Sequence, residues 1–125
     1  MPRFLLGLGA AVFAGFGLAF ALFPTPLAAF VEIEASTPSA RADVAATYGG
    51  LELGVAAVLV WMLRRGDIRT GLIVAALTFG GLGAVRLAHL AASGGAAVVW
   101  FLLAAEAVGL ALALWGARHA VDGSP

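Results

Sequence analysis

Residues 44–63 read VAATYGGLELGVAAVLVWML, an apolar run long enough to cross a bilayer that nevertheless carries Tyr48 and Glu52. An ionised carboxylate at the centre of a membrane helix costs about 2.5–3.5 kcal/mol on insertion scales, so Glu52 is expected to face the inside of a bundle and to have a partner. The fold depends on whether the rest of the chain has the same character. The site depends on what meets Glu52.

The rest of the chain does have that character. Of its 125 residues 62% are hydrophobic and 11% charged, with a mean hydropathy of +1.04, whereas soluble domains carry about 25% charged residues. Further apolar runs at about 4–23, 70–92 and 96–115 each approach the ~20 residues that span about 30 Å of hydrocarbon. The expected fold is an all-α membrane protein, a four-transmembrane-helix bundle making one domain over residues 1–125.

The first run outlasts the 7–15 residues or so of a signal-peptide core, and no small-x-small cleavage site comes directly after it, so it reads as a retained helix. Gly7, Ala11 and Gly15 recur at every fourth position, a spacing that lets a neighbouring backbone approach. Pro24-Thr25-Pro26 is expected to end this helix, because proline cannot donate to the ladder and disfavours helix in the residue before it. Residues 24–43 then read as an outer loop. Its apolar start, LAAFV at 27–31, is expected to lie along the interface or dip into the bundle mouth, and Glu32 and Glu34 read as solvated acids. A basic turn at 64–69, a Ser93-Gly94-Gly95 turn and the polar tail GARHAVDGSP complete the chain.

Composition excludes several classes. There is no cysteine, so disulfides, thiolate metal sites and cysteine nucleophiles are absent. The seven basic residues are all arginine and formal net charge is zero, which leaves no basic patch for nucleic acid. Neither His89 nor His119 has a second histidine at metal-ligand spacing, so neither a metal nor a cofactor is expected.

Arginine placement predicts orientation, because cytoplasmic flanks retain arginine and lysine. Arg3, Arg64, Arg65, Arg69 and Arg118 flank one side and Arg41 the other, so both termini are expected in the cytoplasm. Measured from the outer helix ends at 1.5 Å per residue, Tyr48 and His89 lie about 5 Å deep, Arg86 about 9 Å, Glu52 about 12 Å and Glu106 about 15 Å. Tyr48 and Glu52 are four residues apart and Arg86 and His89 three apart, so each pair shares a helix face. The expected site is a polar pocket in the outer half of the membrane, built from these five residues. Depth favours Arg86 pairing with Glu52, with Glu106 beneath and Gly83 leaving a gap one turn from Arg86.

In these polar helices the chain is similar to the bacterial membrane proteins grouped as domain-of-unknown-function family 4345. The residues that carry the resemblance are TYGGLELG at 47–54, Gly83-x-x-Arg86-Leu87 with a small-residue turn after it, and Glu106 in the fourth helix. The family pattern places an arginine before the Tyr-Gly-Gly element where this chain has Ala45; Arg41 stands one turn earlier. The resemblance implies a small, uncharacterised, multi-pass inner-membrane protein and supplies no activity.

The polar residues admit three readings. They are interhelical glue in a structural or accessory subunit; or they line a pocket for a small amphiphilic, lipid-like molecule, with Glu52 and Glu106 as candidate acid and base; or they form a small proton-coupled transporter. The wholly apolar first helix and the confinement of every candidate to one half of the membrane weigh against transport. The bilayer itself is a partner in each case, and the glycine-rich faces would suit a homo-oligomer.

Overall fold

The computed structural model describes residues 1–120, and among these it is all helix, with no strand. Five helices succeed one another: α1 Pro2–Leu22, α2 Pro24–Phe30, α3 Pro38–Arg65, α4 Ile68–Ser93 and α5 Ala97–His119. All but α2 are long and apolar enough to cross a membrane. The end of the polar tail, residues 121–125, lies outside the described residues.

The helix limits differ from those expected, and each difference has a local cause. Residues 24–43 are not a continuous loop. Pro24 and Pro26 sit in the first turn of α2, where a missing N–H costs nothing, so the same prolines that end α1 start the next helix. Likewise α3 begins at Pro38 rather than Val44, because the Thr37 side chain accepts from the Ala40 N–H at 3.1 Å and Pro38 occupies the first helical position. This polar first turn makes α3 28 residues long, about 42 Å at 1.5 Å per residue, more than the hydrocarbon needs. At its other end Gly66 takes φ +83°, a left-handed cap that a side chain would strain. α5 runs on to His119, past the expected end at Trp115.

Within α3 the ladder widens to a π-helical stretch over Ala45–Gly50, the Tyr-Gly-Gly element. Such insertions rotate the later turns of a helix relative to the earlier ones, and they recur at functional sites. Against this stretch α1 makes its closest approach. A Cβ on Gly17 would stand 2.9 Å from the Gly49 carbonyl oxygen, and one on Gly49 would stand 2.8 Å from the Ala21 nitrogen. Small residues therefore do set the α1/α3 packing, through Gly17 and Gly49 rather than Gly7, Ala11 and Gly15. Gly15 is exposed and has nothing within 4 Å of where its Cβ would be.

The helices pack as two close pairs, α1 with α3 and α4 with α5. The pairs join at the end that holds the N-terminus, the α3/α4 turn and the end of α5, where Leu6, Phe13, Leu59, Leu72, Ala75 and Ala113 form one core drawn from all four long helices. At the other end a separate cluster, Phe20, Ala28, Ala35 and Val44, belongs to α1, α2, α3 and the segment between α2 and α3 alone. There α4 and α5 contribute nothing to it, and a cleft opens between the two pairs.

Candidate functional site

The cleft has a volume of about 770 Å³ and is lined by all four long helices, within the roughly 300–1,000 Å³ of small-molecule sites. Its longest walls are α1 and α5. α1 contributes Phe13, Phe16 and Phe20, spaced three and four apart and therefore on one face. That spacing was legible in the sequence, although the helix reads there only as a packing element. Val31 and Ile33, from the stretch after α2, also line the cleft; of the apolar 27–31 segment only Val31 does so. The lining is apolar except at one place, where Tyr48, Glu52, Arg86 and Glu106 come together.

The strongest contact there joins α4 to α5. Arg86 Nη2 donates to Glu106 Oε1 at 2.7 Å, and Nε lies 3.0 Å from both carboxylate oxygens. Glu106 is 7% exposed, the one buried charged residue of the described chain. A guanidinium meeting a carboxylate through two nitrogens is a short, charge-assisted pair, the form in which burial of both charges is best tolerated. Gly83 makes room for it. One turn before Arg86 on α4, it would carry a Cβ 3.6 Å from Glu106 Cβ and 3.7 Å from Oε2. The expected gap beside Arg86 is thus filled by Glu106.

The pairing of Arg86 with Glu52 is therefore corrected. Arg86 stands seven residues before Ser93 and Glu106 nine after Ala97, so on adjacent antiparallel helices they reach similar depths from the shared turn. Glu52 lies on α3, across the cleft from this helix pair. Half-buried, it has no hydrogen bond or ion pair among the described residues, although it stands within electrostatic range of Glu106.

Tyr48 lies one turn from Glu52, its ring stacked on Phe20 at 5.3 Å between centroids. That contact anchors it to α1, and its hydroxyl makes no hydrogen bond among the described residues, although it stands within electrostatic range of Arg86. His89 is exposed and lines no part of the cleft. Three residues of helix is about 300°, and it is Leu90, four on from Arg86, that turns inward and is buried. His119 lies tilted against the Trp115 ring, 4.5 Å between centroids, at the other end of the molecule. Among the described residues no three His, Cys, Asp or Glu side chains are grouped to share a metal ion.

The family model of a domain of unknown function, DUF4345, matches residues 1–117. No curated protein and no solved structure matches the chain.

Proposed function

From the premise that the chain belongs to the DUF4345 family, a domain of unknown function, we propose that it binds a small amphiphilic, lipid-like molecule in the cleft between α1 and α5. The observation that carries this reading is the unpartnered Glu52 facing a buried ion pair inside an otherwise apolar, drug-sized cleft. Charged groups within membrane spans are costly and are generally retained for a task. Tyr48 supplies a hydroxyl at the same place. With Glu106 committed to Arg86, Glu52 is the carboxyl free to exchange a proton with whatever occupies the cleft.

The cleft opens sideways along exposed positions of both walls, among them Val12, Phe16, Phe101 and Val108. In a membrane this mouth faces acyl chains, so the ligand would come from the bilayer. On the arginine distribution we place the protein in the inner membrane of a bacterium with both termini cytoplasmic and the polar end of the cleft, at Tyr48, Glu52, Arg86 and Glu106, in the outer half. Mild detergent extraction, then native mass spectrometry, tests the reading. The parent chain is expected to retain a bound amphiphile that Ala105→Trp, which adds bulk to the α5 wall, does not. Equal retention, or none by either, would reject it.

One observation favours a second reading. The Arg86–Glu106 bond bridges α4 and α5, as interhelical glue would. That account leaves Glu52 without a task.

A further inference from the structure

Arg86 and Glu106 cancel one another. Two of the three guanidinium nitrogens are committed to the Glu106 carboxylate, so the pair presents no net charge to the cleft. Glu52 faces the same space with no partner among the described residues. With all three groups ionised, the polar end of the cleft carries one uncompensated charge, and it is negative.

This selects among head groups. An anionic head group would meet two carboxylates and an arginine already occupied. A neutral one would leave the Glu52 carboxylate with no counter-charge, so that it is accommodated only where Glu52 takes up a proton. A cation supplies the missing partner. The aromatic lining points the same way, since Phe16, Phe20 and Tyr48 border the same space, Phe16 tilted against Phe20 with 4.8 Å between their rings, and ring faces attract ammonium groups. The remaining wall, apolar along α1 and α5, suits an alkyl chain.

We infer that the cleft selects cationic amphiphiles, with an ammonium head group against Glu52 and the alkyl chain along the seam between α1 and α5. This rests on the cleft being a binding site, as proposed above, and adds the sign of the ligand.

The test is equilibrium binding to the full chain in nanodiscs, with protein-free nanodiscs as background, using three radiolabelled probes of one chain length: decyltrimethylammonium, decanol and decyl phosphate. The ammonium probe is expected to bind saturably and at least about tenfold more tightly than the other two, a difference of one decade in Kd. Glu52→Gln should bring its affinity down to that of decanol, and Glu52→Asp should keep the preference. Decanol binding as well as the cation, with Glu52→Gln silent, would overturn the inference while leaving the cleft a binding site. Tightest binding of decyl phosphate, abolished by Arg86→Met, would overturn it in favour of an anion site. Saturable binding of none of the three would overturn both the inference and the reading beneath it.

Discussion

Arg86 on α4 grips the Glu106 carboxylate on α5 through Nε and Nη2, with the shorter contact at 2.7 Å. Removing one partner of such a pair strands the other charge away from water, which costs far more than removing both. Arg86→Met should therefore lower unfolding free energy in detergent by about 3 kcal/mol, and Arg86→Met combined with Glu106→Gln should recover most of that. A double variant as unstable as the sum of the two single ones would mean that the residues are not coupled.

Glu52 offers the opposite case. With no hydrogen bond or ion pair to lose among the described residues, Glu52→Gln should leave stability within about 0.5 kcal/mol of the parent or raise it. The same unfolding measurement decides. A large loss would reveal Glu52 as structural and remove the main support for a ligand site.

Glycines of α3 should divide sharply. A Cβ on Gly49 would stand 2.8 Å from a backbone nitrogen of α1, whereas one on Gly54 would meet nothing within 4 Å. Gly49→Ala is expected to cost about 1–3 kcal/mol through overpacking. Gly54→Ala should instead gain up to about 1 kcal/mol of helix propensity. Similar effects at both positions would argue against the α1/α3 backbone contact.

Orientation can be read chemically because the chain has no cysteine of its own. Ser39→Cys, at the exposed start of α3, should react with a membrane-impermeant maleimide in intact cells, and Asp67→Cys, in the exposed turn before α4, only after permeabilisation. The reverse pattern would place both termini outside.

The four spans were legible because a hydrocarbon-length apolar run is a strong signal, and so were four of the residues that meet at the cleft. The features that escaped depended on context. Thr37-Pro38 is a good helix start, but the polar residues after it resemble a loop. The same holds for Pro24 and Pro26, which can close one helix or open another. Nothing in AATYGG announces a π-helical turn. Depth alone favoured Glu52 as the partner of Arg86, whereas adjacency of consecutive helices selected Glu106. His89 failed for a geometric reason, since a spacing of three leaves two side chains about 60° apart around the helix.

The cleft walls come from the first and last long helices of the chain, and its ion pair from the last two. During synthesis α1 and α3 can pair as soon as both are in the membrane, but the cleft has no second wall until α5 arrives. A chain truncated before α5 would keep Arg86 while losing Glu106, leaving a permanent cation in hydrocarbon with no carboxylate on α5 to meet it. The site is thus the last part of the molecule to be assembled, and its ion pair makes an incomplete chain chemically distinct from a finished one.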